Sequence, residues 1–391
     1  MRRLVVLLLG TVLAGTSIAA ETPYRIGYLE RTDDPAYHPA RLDARYPGHP
    51  AGRPFAAAEV ALKEIRYTLG DLDRKGVLDR RSADSRDDLV RAARSLVAEG
   101  ASFLLVDAAA DDIVAVSRAV AELPVAVLNI RSADERLRGA QCQPRLLHLM
   151  PSERQFNDAI SQWLRTRNWR DVWLLHGTSE ADRQAAASVK ASLRRLGLRV
   201  VAEKPFVLGN DPREREQNNV GLLTAGRDHD VVWVVDTDGE FARRVPFATQ
   251  RPRPVVGSAG LQAMAWHWVF DRHGAPQLTR RLQRGLERDP GSADWAAWMA
   301  VKAIGAAVAK AGTVDFPPVF AALTDETLVL DGFKGFRMGF RPWDGQLRQP
   351  MMIGSSEQVL AMAPLEGFLH ATNTLDTLGS DARESACQRR Q

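Results

Sequence analysis

The chain has 391 residues, of which 45% are hydrophobic, and its 52 basic and 48 acidic side chains give a formal net charge of +4. A chain of this length and composition can bury a large core, and its length predicts about two domains. Because the net charge is small, the composition excludes a protein that binds nucleic acid through a strongly positive surface.

Residues 1–20 have the pattern of an export signal. Arg2 and Arg3 give a short basic start, residues 4–13 are largely apolar, and Ala19 and Ala20 are small residues suited to cleavage. The apolar run is too short for a membrane anchor, and no later segment approaches the roughly 20 apolar residues that a membrane helix needs. No cysteine lies near the cleavage point to accept a lipid. We therefore expect a periplasmic protein that is secreted by this signal peptide and has no membrane anchor.

Apolar runs of strand length alternate with segments of helical periodicity along most of the chain. Buried strands are predicted at 24–29, 103–106, 125–130, 172–175 and 231–235. Helices are predicted around 58–69, 89–97, 113–120, 156–164, 185–196 and 297–308. Strands that follow one another through helices favour parallel sheets, and the restart of the pattern after residue 150 predicts a second unit of the same kind. The mixed charge run at 71–94 is interpreted as a solvated surface.

Residues 333–350 differ from the rest of the chain, because they are rich in glycine, proline and aromatic residues and predict short strands around a turn at 342–345. The run from Phe333 to Phe340, followed by Asp344 and Gly345, resembles the F-x-G, G-x-x-F and D-G hairpin of periplasmic binding proteins related to the branched-chain amino-acid family. The order of units along 24–355 is similar to that family throughout. The resemblance implies an α/β fold of two Rossmann-like lobes with parallel sheets and a three-strand hinge, the type I periplasmic binding protein architecture.

The resemblance also implies where the lobes divide. We expect lobe 1 at 21–135 and 255–340, and lobe 2 at 136–254 and 341–391. The hinge crossings are expected near 132–145, near 251–257 and near residue 340.

Four longer strings resemble a narrower subfamily. They are 27–31 with Asp34 and Pro35, 137–142, 340–350 and 366–387. The subfamily comprises the substrate-binding proteins of ABC transporters found beside alcohol dehydrogenases that depend on pyrroloquinoline quinone (PQQ). The resemblance implies an ABC transporter permease as partner, a PQQ-dependent dehydrogenase as a further candidate partner, and PQQ, a planar tricarboxylate quinone, as a candidate bound ligand. We expect no required cofactor.

Ligands of open α/β sheets bind beyond the carboxyl ends of the strands, so the residues that follow each predicted strand are candidates for the site. The predicted ligand-binding residues are Tyr28, Arg31, Tyr37, Asn129, Arg131, His176, Asp236, Trp266 and Trp268. Arg131 can clamp a carboxylate with two hydrogen bonds, or it forms an ordinary ion pair at the surface or hinge. Trp266 and Trp268 can stack on a flat conjugated ligand, or they pack at the hinge. His176 and Gly177 stand where amino-acid binders of the similar family commonly have a Tyr-Gly pair, which disfavours a simple amino acid.

The insertion at 30–54 follows the first predicted strand and interleaves arginines with aromatic residues. Loops of this length are usually functional or disordered, and the composition favours a flap over the cleft. Separately, Cys142 and Cys387 predict a disulfide in an oxidising compartment, with a redox or metal pair as the alternative.

Motifs of enzymes are missing from the sequence. It contains no G-x-G-x-x-G after a strand, no Walker sequence, no G-x-S-x-G and no H-E-x-x-H, and its eight histidines lack metal-ligand spacing. A lysine can add reversibly to a quinone carbonyl, but the sequence selects none. We therefore expect neither an enzyme nor a metal site.

The leading hypothesis is a periplasmic substrate-binding protein that closes two lobes on PQQ or a smaller carboxylate and delivers it to a membrane permease. The alternative is an accessory or sensor protein of a periplasmic PQQ-dependent alcohol dehydrogenase system. A third, weaker hypothesis is an enzyme that acts on an alcohol or aldehyde.

Overall fold

The computed structural model describes residues 23–209 and 212–387. The predicted signal peptide at 1–20 lies outside these residues. In the part of the chain that is described, no helix has both the length and the hydropathy needed to cross a membrane. The described residues form two lobes, each built on a parallel sheet, and the chain passes between the lobes three times.

The first lobe contains a five-stranded parallel sheet. Its strands are β1 (Tyr24–Arg31), β2 (Gly76–Ala83), β3 (Ala101–Asp107), β4 (Ala126–Asn129) and β5 (Leu146–His148), in the order β2-β1-β3-β4-β5. The helices between them are α1 (Pro39–Ala44), α2 (Phe55–Glu64), α3 (Arg66–Gly70), α4 (Arg86–Ala98) and α5 (Ala110–Ala119). β1, β3 and β4 are apolar and buried on both faces, as expected for strands covered by helices on each side.

The second lobe repeats this architecture with four parallel strands. They are β6 (Asp171–His176), β7 (Arg199–Pro205), β8 (Val231–Val235) and β9 (Val255–Gly257), in the order β7-β6-β8-β9. The helices of this part are α6 (Glu153–Thr166), α7 (Glu180–Arg195), α8 (Pro212–Gln217) and α9 (Val220–Leu223). The predicted fold class, two lobes with parallel sheets, is therefore confirmed.

The remaining elements complete both lobes. The helices α10 (Ala275–Leu286), α11 (Ser292–Ala311) and α12 (Phe316–Thr324) pack against the first sheet. The strands are β10 (Gln262–Met264), β11 (Gly339–Phe340), β12 (Leu347–Arg348), β13 (Met351–Gly354) and β14 (Val359–Ala363). β10, β13 and β14 form an antiparallel sheet on the second lobe, and β11 pairs with β12 in the predicted hairpin. Short 3-10 helices lie at Pro35–Tyr37, Glu135–Arg138, Ala242–Phe247 and Thr374–Thr377.

The core of the first lobe is centred on α11. Its sequence combines many alanines with Trp295 and Trp298, so it packs closely against neighbours on most of its faces. Both tryptophans are fully buried, as their helical spacing predicts. The indole Nε1 of Trp295 donates to the backbone oxygen of Gly332 at 3.0 Å, which satisfies its one polar group.

The chain crosses between the lobes later than the sequence indicates. The crossings lie at 149–152, 265–274 and 349–350, whereas the predictions are 132–145, 251–257 and residue 340. The shift arises because each lobe takes one more short strand before the chain leaves it. β5 extends the first sheet, β10 lies on the second lobe, and β12 lies beside β5 through a bridge between His148 and Gln346.

Buried side chains tie the first crossing to the third. The amide of Gln346 donates to the backbone oxygens of His148 and Met150 at 3.2 Å each, and the amide of Gln349 donates to that of Leu149 at 2.7 Å. Lys334 Nζ donates to Gln349 Oε1 at 2.7 Å, and complete burial holds the pKa of Lys334 well below its ordinary value. These contacts fix the two crossing strands to each other as one hinge.

A C-terminal strap, defined as residues 374–387, connects the lobes at a further point. Arg195 of α7 donates to the backbone oxygens of Thr377 and Gly379 at 2.5 and 2.7 Å, which holds the strap on the second lobe. The strap ends in the predicted disulfide between Cys387 and Cys142, whose Cα atoms are 5.7 Å apart. Cys142 lies in the loop before β5, so this bond attaches the strap to the first lobe.

Candidate functional site

A cavity of about 720 Å³ lies in the cleft between the lobes. The first lobe contributes Ala36, Arg45, 47–52, Arg131, Ala133, Met150, 266–268 and 289–294. The second lobe contributes Glu153, Phe156, Asn157, Ile160, Ala185, Val189, 233–235, 257–258, 262–264 and 355–356. The cavity is therefore placed at the carboxyl ends of the strands, where open α/β sheets bind ligands.

The second-lobe wall is mostly apolar and comes from α6 and α7. α6 begins directly after the first crossing, where Ser152 and Gln155 form a capping box with hydrogen bonds of 2.9 and 3.2 Å. This cap turns Phe156 and Ile160 toward the cavity. The sequence identifies both as an apolar helix face but gives no sign that this face lines the cleft. The capping box directly after a lobe crossing is the signal that could have indicated that this helix face lines the cleft.

Trp266 and Trp268 line the first-lobe wall, but they differ in exposure. Trp268 is 38% exposed and stacks on His267, whereas Trp266 is 1% exposed and stacks on Trp295 with ring centres 6.4 Å apart. Trp266 therefore has the packing role that is one of its two predicted roles, and it also borders the cavity. Its stacking on a ligand stays a prediction. Burial lowers the pKa of His267, so its ring is neutral near pH 7.

The predicted flap is present as the segment 32–54, and it reaches across to the second lobe. Arg41 forms an ion pair with Asp238, and its Nη2 also donates to the backbone oxygen of Asp238 at 3.0 Å. Gly239 has a positive φ, and a Cβ there would lie 3.0 Å from Nε2 of His49. The flap thus closes one side of the cavity and packs against Gly239 of the opposite lobe.

Three of the predicted residues converge on one buried carboxylate, Asp107, at the end of β3. The hydroxyls of Tyr37 and Tyr28 donate to it at 2.7 and 3.1 Å, and Nε of Arg131 lies 3.8 Å away. Burial raises the pKa of Asp107 to about 6, although Arg131 and the tyrosine hydrogen bonds act in the opposite direction. Of this group Arg131 lines the cavity, while Tyr28 and Tyr37 lie behind it.

Arg131 is held in place by Asp107, Asp34 and Asn129. Its guanidinium forms an ion pair with Asp34, and its backbone nitrogen donates to Oδ1 of Asn129 at 3.1 Å. Asn129 itself is fully buried, where its amide also contacts His148, so it positions Arg131 without lining the cavity. Arg131 thus forms the ion pair that is one of its two predicted roles, and it also lines the cavity. Its contact with a ligand carboxylate stays a prediction.

Three other predicted residues do not line the cavity. Arg31 is held by Asp33 at 2.8 Å and Asp112 at 3.5 Å on the outer side of the first lobe. His176 contacts the backbone oxygen of Gly177 at 2.7 Å and lies 3.4 Å from Glu203 on β7. Asp236 is buried, where it accepts the backbone N–H groups of residues 238 and 242 and so shapes the loop that receives the flap.

Glu153, the first residue of α6, is a cavity residue that sequence reasoning missed. It lies close to Asp134 and Glu135, and burial together with these two acids raises its pKa to about 7. In the part of the chain that is described, no group of three His, Cys, Asp or Glu side chains is arranged to hold a metal ion.

Residues 55–239 match a family model described as periplasmic binding protein. No curated protein matches the chain. A leucine-, isoleucine-, valine-, threonine- and alanine-binding protein from Brucella ovis, in its closed conformation, is 14% identical with a TM-score of 0.70, over 94% of this chain and 100% of that chain. A solute-binding protein of an ABC transporter from Rhodopseudomonas palustris, solved with 3,4-dihydroxybenzoic acid, is 14% identical with a TM-score of 0.62, over 85% and 93% of the two chains.

A further solute-binding protein from R. palustris, solved with benzoate, is 11% identical with a TM-score of 0.64, over 94% of this chain and 99% of that one. These likenesses establish the fold as that of type I periplasmic binding proteins. The matched family and these structures are binding proteins, which agrees with the expectation that the chain is not an enzyme. The narrower subfamily beside PQQ-dependent dehydrogenases stays a prediction.

Proposed function

We propose that this protein is a periplasmic substrate-binding protein of an ABC transporter, which binds a small aromatic carboxylate between its lobes and delivers it to a membrane permease. The observation that carries the proposal is the inter-lobe cavity, where an arginine at the carboxyl end of a first-lobe strand faces an aromatic and apolar wall. No bond is made or broken in this function, because the ligand is bound by lobe closure and released unchanged.

The two kinds of wall suit the two parts of such a ligand. The guanidinium of Arg131 can donate two hydrogen bonds to a carboxylate, which is stronger and more directional than a contact with lysine. The exposed face of Trp268 and the side chains of Phe156 and Ile160 provide the apolar surface against which an aromatic ring packs. The complexes of two similar folds with benzoate and 3,4-dihydroxybenzoic acid support this ligand class.

Within this class we propose PQQ as the first ligand to test. PQQ is planar and aromatic, carries three carboxylates, and is the ligand that the subfamily resemblance implies. The cavity of about 720 Å³ is within the range of sites for drug-sized molecules. Arg45, on the flap, is a second cavity arginine, and among the described residues it has no acidic partner. It is therefore a candidate to bind one of the remaining carboxylates.

Calorimetric titration of the mature chain tests the proposal. PQQ, benzoate and 3,4-dihydroxybenzoate are compared with leucine and with acetate, which keeps the carboxylate but lacks the ring. We expect micromolar or tighter binding of at least one aromatic acid and at least tenfold weaker binding of leucine and acetate. Binding of leucine alone would refute the proposed ligand class. Capture of a dehydrogenase instead of a permease by the loaded protein would favour an accessory role.

A further inference from the structure

Glu153 occupies an unusual position at the cavity. It is the N-terminal residue of α6, directly after the first lobe crossing, and its side chain lines the cavity. Among the described residues, no group donates a hydrogen bond to its carboxylate and no basic side chain forms an ion pair with it. Glu153 is half-buried and its carboxylate oxygens still reach solvent at the cavity. A ligand that fills the cavity displaces this solvent, so the ligand itself must supply a hydrogen-bond partner for the carboxyl group.

The acidic neighbours of Glu153 lie on the 3-10 helix at 135–138 and its N-cap. Glu135 accepts the backbone N–H of Arg154 at 2.6 Å, and Asp134 caps the same short helix. Arg138 is the nearest cation, but it is fully buried and its donors are used by Gln346 and by the backbone oxygens of residues 132, 134 and 150. Arg138 therefore moderates the charge at Glu153 without contacting its carboxylate.

Other ionisable groups line the remaining walls of the cavity. They are Arg131 after β4, Arg45 and His49 on the flap, His267 at the second crossing, and Asp289 with Asp294 before and within α11. Asp294 is neutralised by Arg288 through two contacts of 2.7 Å, and burial keeps His49 in its neutral form near pH 7. The charge of Arg131 is shared with Asp34. A ligand carboxylate that enters this cavity is thus exposed both to Arg131 and to Glu153, an acid whose charge no ion pair compensates.

We propose that Glu153 is a specificity-determining residue that binds the ligand's carboxylate as a neutral carboxylic acid, so that the ligand and one proton enter the site together. This inference rests on the proposed function, because it requires an anionic ligand. Two carboxylates in one partly buried site cannot both stay ionised at low cost, and a shared proton turns their repulsion into a hydrogen bond. The proton comes from solvent, resides on Glu153 Oε while the ligand is bound, and returns to solvent on release.

The inference has a defined pH signature. Burial and the acids at 134 and 135 give free Glu153 a pKa of about 7, and the bound carboxylate raises this pKa further. Below pH 7 the residue is already protonated, so the affinity changes little. Above pH 7 each ligand must bring a proton, so Kd increases about tenfold for each pH unit until the pKa of the complex is reached. For a ligand that carries an amine in place of the carboxylate, the pH dependence should be reversed. Its Kd should increase below pH 7, because protonation removes the negative charge of Glu153 that would attract the amine.

The test is calorimetry of the mature protein with benzoate, and with PQQ if benzoate does not bind, at pH 6 to 9 in buffers of different ionisation enthalpy. We expect uptake of close to one proton per ligand at pH 8 and about tenfold weaker binding at pH 8.5 than at pH 7.5. Glu153→Gln keeps a hydrogen-bond donor without a charge, so it should abolish proton uptake and flatten the pH profile while preserving the affinity seen at pH 6. Glu122→Gln, a change of an exposed glutamate remote from the cavity, should retain the wild-type profile.

Binding without proton uptake, or with an unchanged pH slope in Glu153→Gln, would overturn the role of Glu153 and leave the proposed function intact. Failure of every aromatic acid to bind at any pH would instead refute the proposed function and this inference with it. Carbon-13 NMR of the glutamate carboxyl carbons provides a readout that needs no ligand. A resonance that titrates near pH 7 and disappears in Glu153→Gln supports the inference, whereas an ordinary glutamate pKa for residue 153 contradicts it.

Discussion

Arg131 links the ligand cavity to the buried charges of the first lobe. It faces the cleft, pairs with Asp34 and lies 3.8 Å from Asp107, which two tyrosine hydroxyls also contact. A guanidinium held this firmly is preorganised, so little rotamer entropy is lost when a carboxylate binds. The same contacts mean that part of its charge is already compensated. This arrangement favours a ligand with one carboxylate at this point over a cluster of anionic groups.

We predict that Arg131→Ala weakens binding of aromatic carboxylates at least tenfold, because a bidentate charge-assisted contact is lost. Arg53→Ala is the matched control, since Arg53 lies 3.7 Å from the same Asp107 but does not line the cavity. Both variants are titrated by calorimetry, with thermal melts to show that they are folded. The comparison separates the loss of a direct ligand contact from the loss of a cation next to Asp107. An unchanged Kd in Arg131→Ala, or equal losses in both variants, would remove Arg131 from the ligand contacts.

The strand-end rule predicts part of the candidate site for a physical reason. Neighbouring parallel strands bring Tyr28 of β1 and Arg131, which follows β4, close to Asp107 at the end of β3, and Asn129 contacts Arg131. The rule does not say on which side of the sheet edge a side chain points, and His176 and Asp236 point away from the cavity. It also cannot find Glu153 or Phe156, because a helix that begins at a lobe crossing enters the site only through the tertiary fold.

The flap is the element that distinguishes this cleft. It packs on the second lobe through three contacts: Arg41 with Asp238, the ring of Tyr46 beneath the guanidinium of Arg243 at 5.5 Å, and His49 against Gly239. A segment that belongs to one lobe and contacts the other must detach, at least in part, when the lobes separate. The flap contacts are therefore expected to slow ligand release.

We predict that Arg41→Asp increases the ligand dissociation rate about two- to fivefold, which corresponds to the loss of an exposed ion pair. Asp238→Arg in the same chain restores the pair with reversed charges and should recover most of the wild-type rate. Arg66→Ala, a surface change outside the flap, is the control. Stopped-flow tryptophan fluorescence measures the rates. If the single and double variants release ligand at the same rate, the flap contact does not control release.

Elements differ in how clearly the sequence indicates them. The central strands β3, β4 and β8 are continuous apolar runs, since helices cover both faces of a parallel sheet, and all three are predicted. β2 and β7 are missed because they are edge strands with polar, partly exposed side chains. β2 lies inside the charge run at 71–94, which the sequence presents as a solvated surface. Only its pairing with β1 identifies it as a strand.

At the scale of the whole molecule, the two lobes are joined by three crossings and by the C-terminal strap. The hydrogen bonds of Gln346, Gln349 and Lys334 fasten two of the crossings together, so they act as one hinge. The strap runs from α7 on the second lobe to Cys142 on the first. Its length and attachment limit how far the lobes can separate. The two cysteines predict this bond by their number and compartment, whereas the path of the strap is visible only in the fold.

We predict that reduction of the disulfide lowers the melting temperature by several degrees. A bond that closes a loop of 245 positions restricts the unfolded chain, and the loop-entropy model assigns it about 3 to 5 kcal/mol. Cys142→Ser with Cys387→Ser should melt at the temperature of the reduced wild type and be insensitive to reductant. Scanning calorimetry with and without reductant measures this. Identical melting of oxidised and reduced wild type would show that the bond does not stabilise the protein.

The most direct test of the central proposal is a crystal structure of the mature protein grown with PQQ or benzoate. We predict ligand density in the inter-lobe cavity, with a carboxylate within hydrogen-bond distance of Arg131 and the aromatic ring against Trp268 or Phe156. Density at another site, or an empty cavity at ligand concentrations that saturate binding in solution, would contradict the account.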